Sequence, residues 1–87
     1  KFEIYFVDVS KGHDTYIISK KITHTYYILQ GKGTFDISGK ITRVKKGMMI
    51  SVPPKIEYTY SGFMKFLLIM NPPWFEGNEI VTKKNLK

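Results

Sequence analysis

GHDTYIISKKITHTYYILQG, residues 12–31, opens and closes on glycine and holds both histidines of the chain, His13 and His24. β-branched and aromatic residues fill it, and nothing in it sustains a helical period. It reads as a turn at Gly12–Asp14, a strand over Thr15–Lys20 and a second strand over Thr23–Gln30. The same texture runs outward in both directions. FEIYFVDV (2–9) alternates Phe2, Ile4 and Phe6 on one face with Glu3, Tyr5 and Val7 on the other, as a half-buried strand does. Further strands are expected at Thr34–Ile37, Lys40–Val44, Met48–Val52, Glu57–Tyr60 and Phe63–Met70, with an edge strand at Glu79–Thr82. Glycine or proline interrupts these runs about every 8 to 12 residues, the rhythm of an all-β sandwich or barrel. Ser38-Gly39 is a two-residue hairpin turn, because glycine tolerates the positive φ such turns demand. Pro53-Pro54 and Asn71-Pro72-Pro73 each take the chain out of a sheet, since proline cannot donate to a central ladder.

Length and composition bound what such strands can build. A chain of 87 residues buries one small core, so residues 1–87 form a single domain. Hydrophobic residues at 43% and aromatics at 15% supply enough burial to offset the entropy of ordering. The absence of cysteine removes disulfides, thiolate nucleophiles and cysteine-held metals together. FMKFLLIM (63–70), the longest apolar run, is too short for a bilayer and is broken by Lys65. We therefore expect no membrane association and a cytoplasmic location. A net charge of +7 attracts anions, but the lysines lie scattered as Lys20-Lys21, Lys45-Lys46 and Lys83-Lys84, the pattern of a solvated basic surface.

The intervals carry a more specific message. Gly12, five residues, Ile18-x-Lys20, three residues, His24, six residues, Gly31 is followed by Gly47, five residues, Pro53-x-Lys55, two residues, Tyr58, three residues, Gly62. In these two spacings and the hairpin between them the chain resembles the cupin family over residues 12–72. The resemblance implies a small jelly-roll β-barrel of about eight antiparallel strands. In the family two histidines, a glutamate and a third histidine hold one divalent metal inside the barrel. Those places here carry Ile18, Lys20, His24 and Tyr58, so the resemblance implies a barrel without its metal and without another cofactor. A metal site needs three or four deprotonated donors, and a lysine ammonium beside it repels a dication.

Side chains two apart on a strand share a face, which pairs Ile18 with Lys20, His24 with Tyr26 and Ile28, and Tyr58 with Tyr60. If the family's ligand positions point inward, Lys20, His24, Tyr26, Tyr58 and Tyr60 line a pocket for a small polar or anionic ligand. A sugar, sugar phosphate or carboxylate fits that chemistry. The competing reading is a filled interior, with phenols and imidazole bonded to one another and Lys20 reaching out to water at a barrel mouth. An enzyme alternative is a metal-free sugar or nucleotide-sugar isomerase or epimerase, His24 moving a proton with Tyr58 or Tyr26 assisting. His13 reads as an exposed loop residue. A second alternative, a basic barrel for single-stranded nucleic acid using Tyr26-Tyr27, Tyr58 and Tyr60, is weakened because no RNP-type motif is present. Gly31-Lys32-Gly33 is followed by a strand rather than a helix, which removes a phosphate-loop reading. Trp74 and Phe75 either close one end of the barrel or dock a second subunit of a homodimer.

Overall fold

The computed structural model describes residues 2–10 and 15–84; the expected turn at Gly12–Asp14, and His13 within it, lie outside the described residues. The described residues form seven antiparallel strands: β1 (Glu3–Val9), β2 (Thr15–Ser19), β3 (Thr23–Ile37), β4 (Lys40–Lys45), β5 (Met49–Val52), β6 (Glu57–Asn71) and β7 (Glu79–Lys84). The long strands β3 and β6 pair with each other from Thr23↔Asn71 to Ile37↔Tyr58 and form the spine. On the free side of β3 lie first β5 and then β4; on the free side of β6 lie first β1 and then β2, with β7 beyond β2.

A barrel of about eight strands was expected, and the nine segments read from the sequence become seven strands among the described residues, because glycine here marks a close approach instead of a stop. Thr23–Gln30 and Thr34–Ile37 run on as β3, and Glu57–Tyr60 and Phe63–Met70 run on as β6. Gly33 and Gly62 face each other in the β3–β6 ladder. A Cβ on Gly33 would stand 2.3 Å from the Ser61 carbonyl oxygen, so the two backbones meet where no side chain fits. A bulge between Ile28 and Gln30 precedes this point. The inner faces on either side of it share one core: Tyr26, Ile28, Met64 and Phe66 from one side pack with Phe35, Val44 and Tyr58 from the other. The hairpin at Ser38-Gly39 forms as expected, with φ of 53° and 86° at its two residues, a type I′ turn whose twist matches the flanking strands.

Two strand faces differ from the expectation. In β2 the inward residues are Ile17 and Ser19, 5% and 1% exposed, so Ile18 and Lys20 fall on the other side. A shift of one residue turns every side chain of a strand over, and the turn that follows β2 fixes that parity. Ser19 Oγ donates to the Ile22 carbonyl at 2.7 Å and accepts the Ile22 N–H at 3.1 Å, which requires Ser19 to point inward. In β1 the more apolar face looks out: Phe2, Ile4 and Phe6 are 60%, 52% and 62% exposed, while Val7 and Val9 pack against the core.

Candidate functional site

β3 and β6 bring their aromatic residues together because alternate positions of both strands face the same interior. His24, Tyr26 and Ile28 follow one another along the inner face of β3, all buried. Tyr58 enters from the start of β6, and Tyr60 packs against the same cluster. The Tyr26 ring stands 4.9 Å from Phe35, 5.1 Å from Phe66 and 5.6 Å from Tyr60, centroid to centroid, in tilted or edge-on arrangements that suit aromatic quadrupoles. The hydroxyls of Tyr26 and Tyr58 share a hydrogen bond of 2.6 Å, so at this place the interior is filled by side chains.

His24 differs from these phenols. Its Nε2 lies 3.6 Å from Glu79 Oε2, an ion pair whenever the imidazole is protonated. Its Nδ1 is buried and has no hydrogen-bond partner among the described residues. A buried polar atom without a partner is uncommon and marks a place where a ligand or water atom is favoured. Glu79 was not singled out from the sequence, because it lies far from His24 along the chain. Its position depends on Asn78, wholly buried, whose Oδ1 accepts the Lys21 N–H at 2.9 Å and whose Nδ2 donates to Ser19 Oγ at 2.8 Å. This clasp ties the start of β7 to the β2–β3 turn and sets the carboxylate beside the imidazole. An Asn-Glu pair opening an edge strand is the only signal in the sequence, and it does not by itself name a partner.

Burial controls the charge state of the cluster. Loss of water raises Tyr26 well above the ordinary phenol range, with Tyr58 and Tyr60 adding to the effect. Tyr58 moves in the same direction, chiefly through burial, although its bond to Tyr26 opposes the rise. Tyr60 is pushed up to about 12 by burial and by the Glu79 charge. All three phenols are neutral near pH 7, and the hydroxyls of Tyr26 and Tyr58 are bonded to each other.

Of the residues expected to line a pocket, the structure gathers His24, Tyr26, Tyr58 and Tyr60 and leaves Lys20 apart. Lys20 is exposed at the end of β2, its backbone N–H donating to the Asn78 carbonyl at 2.7 Å. The expected interior cation is thus corrected to a surface one, for the parity reason given above. Ile18, the other first-motif position, also lies off the inner face. Among the described residues no group of three His, Cys, Asp or Glu side chains is placed to hold a metal ion. No helix among them is long and apolar enough to cross a membrane. Trp74 and Phe75 are 51% and 39% exposed, with the Trp74 N–H bonded to Glu3 Oε1 at 2.8 Å.

No protein-family model and no curated protein matches the chain. Solved structures do. Pac13, a nucleoside dehydratase, superposes with a TM-score of 0.92 at 25% identity over 95% of this chain and 69% of its own. A cupin protein from Bacteroides fragilis gives a TM-score of 0.68 at 23% identity, covering 79% of this chain and 62% of that one. KdgF from Halomonas sp. gives 0.73 at 14% identity, covering 79% and 66%. The fold is a cupin-type β-barrel.

Proposed function

We propose that this chain is a metal-independent cupin-type barrel that binds a small, hydroxyl-rich molecule of the nucleoside class at the His24–Glu79–tyrosine cluster, as a cytoplasmic homodimer. The observation that carries the reading is the buried imidazole, its Nε2 3.6 Å from Glu79 Oε2 and its Nδ1 without a hydrogen-bond partner among the described residues. Neutral phenols at Tyr26, Tyr58 and Tyr60 suit hydroxyl and carbonyl groups better than they suit a cation or a metal. Ligand entry would replace the Tyr26–Tyr58 hydrogen bond with bonds to the ligand, so that burial of the phenols is not left uncompensated.

Support for a nucleoside comes from the structural neighbours. Pac13 from Streptomyces has been solved with uridine as a histidine-to-glutamine variant and as two tyrosine-to-phenylalanine variants, each 24% identical to this chain. The substituted histidine and tyrosines of that protein are separated by the same intervals as His13, Tyr26 and Tyr60 here. The activity named for Pac13, a nucleoside dehydratase, supports a second reading, an elimination of water. In it a base takes a proton from a carbon next to a carbonyl, and an acid gives a proton to the hydroxyl that leaves from the adjacent carbon. Glu79 is suited to the first task and His24 to the second, with Tyr60 donating a hydrogen bond to the substrate. Isomerisation needs the same groups but returns the proton to the substrate carbon.

A thermal-shift series with uridine, other nucleosides, free sugars and carboxylates tests the binding claim. A ligand at about 100 times its Kd should add about 2.7 kcal/mol. Loss of that shift in His24→Gln, together with its loss or weakening in Tyr60→Phe, is the expected result. If sugars and carboxylates stabilise the protein and nucleosides do not, the nucleoside reading fails. One equivalent of tightly held divalent metal in the purified protein would remove the metal-independent part. Turnover of a nucleoside carbonyl compound, followed by loss of water in the NMR spectrum, separates dehydration from binding alone. His13→Gln belongs in the same series, because His13 stands at the interval of that protein's substituted histidine.

A further inference from the structure

A second place on the molecule, outside the barrel cluster, carries its own chemistry. Where β3 and β6 cross, a groove of about 910 Å³ opens over Gly31, Gly33 and Gly62, with Met48 and Phe63 as its apolar walls. Lys32, Arg43 and Lys45 also line it. Lys32 and Lys45 stand directly opposite each other in the β3–β4 ladder, and Arg43 is two residues further along the same face, opposite Thr34. Like charges set across a ladder repel each other. Among the described residues none of these three cations lies within ion-pairing distance of a carboxylate. Among the described residues no acidic side chain lines the groove. At its floor the glycines let β3 and β6 approach closely, and Phe63 beside them is 73% exposed.

We propose that this groove is a separate binding site for a small aromatic phosphate of the nucleotide class. The phosphate groups would lie between Lys32, Lys45 and Arg43, turning a repulsive trio into a clamp. Arg43 can present two parallel N–H donors to one phosphate, and the lysines act as point charges. The base would rest on the Phe63 ring, whose face accepts any flat π-system. The volume is that of a small-molecule site and falls short of a channel for a long strand. The site goes beyond the barrel reading and shares none of its residues.

Titration of the wild-type protein with ADP, inorganic pyrophosphate and adenosine, followed by calorimetry and by backbone NMR shifts, tests the proposal. ADP should bind most tightly, pyrophosphate less and adenosine least, with affinity falling steeply as salt is added. The shifted resonances should map to residues 31–34, 43–48 and 62–63. Lys32→Gln/Arg43→Gln/Lys45→Gln should weaken ADP by about 100-fold or more, and Phe63→Ser should weaken ADP by about tenfold while leaving pyrophosphate unchanged. Equal affinities for ADP and pyrophosphate would overturn the aromatic half of the proposal. Displacement of ADP by uridine would place the ligand in the barrel instead and overturn it entirely. Tighter binding of a single-stranded RNA than of ADP, with shifts spreading beyond the groove, would replace a small ligand with a nucleic-acid strand. Because the NMR map uses the unaltered protein, it decides the location even if a variant folds poorly.

Discussion

Tyr26 and Tyr58 avoid the cost of a buried, unpartnered phenol by bonding to each other. Tyr58→Phe leaves the Tyr26 hydroxyl without that bond and should cost about 1 to 3 kcal/mol of stability. Tyr26→Phe/Tyr58→Phe should cost less than the two single changes added together, which a double-mutant cycle by chemical denaturation measures. Strict additivity would mean that the hydroxyls do not support each other. The same burial links stability to alkaline pH. Tyr60 has a folded pKa of about 12 against an ordinary value of 10, and Tyr26 and Tyr58 are raised as well. The unfolded chain therefore loses these protons first. The stabilisation is complete below about pH 10 and is lost as pH climbs toward the folded values. Melting temperature should accordingly fall from about pH 10 upward, and less steeply in Tyr60→Phe; an unchanged slope in that variant would deny Tyr60 a role. The tyrosines and His24 were legible in the sequence because a two-residue period assigns His24 and Tyr26, or Tyr58 and Tyr60, to a shared face. Glu79 was not legible, because its approach to His24 depends on Asn78 reaching Ser19 from a distant part of the chain.

Strands are specified locally, but their ends and faces are specified by neighbours. Thr23–Gln30 and Thr34–Ile37 are each correct as strand segments, and Gly31 to Gly33 was the natural place to divide them. The division disappears because β6 carries Gly62 at the matching position, and the two chains close on each other there. Gly33→Ala would force a methyl group into the Ser61 carbonyl and should destabilise the fold by about 3 kcal/mol, the upper part of the range for overpacking. Equilibrium denaturation reads this directly, and a loss under about 1 kcal/mol would mean that the strands can part at the crossing. For β2 the pattern TYIIS offers isoleucine to either face, so hydrophobicity alone could not choose between Ile17 and Ile18. The Ser19–Ile22 turn makes the choice. The same choice carried Lys20 out of the proposed pocket.

At the scale of the molecule, the outer faces of β1, β6, β3 and β5 form a continuous apolar surface. Phe6, Leu67, Tyr27 and Met49 lie in one cross-strand row, with Ile4, Ile69 and Thr25 in the next. Phe2, Ile4, Phe6 and Met49 are each more than half exposed. At roughly 100 Å² for each such side chain, with the half-buried residues between them, two copies would cover on the order of 1,000 Å², the lower bound of a specific interface. A second copy suits this face better than an anionic partner does, since its centre carries no cation. Sedimentation velocity should accordingly give a dimer that Phe6→Asp converts to monomer; a wild-type monomer at about 100 µM would refute the homodimer. By itself the sequence determined that the chain is all-β, while its resemblance to the cupin family implied the barrel and ligand positions poor in metal donors. The strands and turns follow from residue type, which acts through local geometry, and the rest from intervals shared with that family. Tertiary structure decided which face of β1 and β2 turns inward, which carboxylate meets His24, and where three cations gather with no counter-charge among the described residues. Each of these depends on pairing between segments far apart in the chain, where register and crossing angle carry the information that a local pattern lacks.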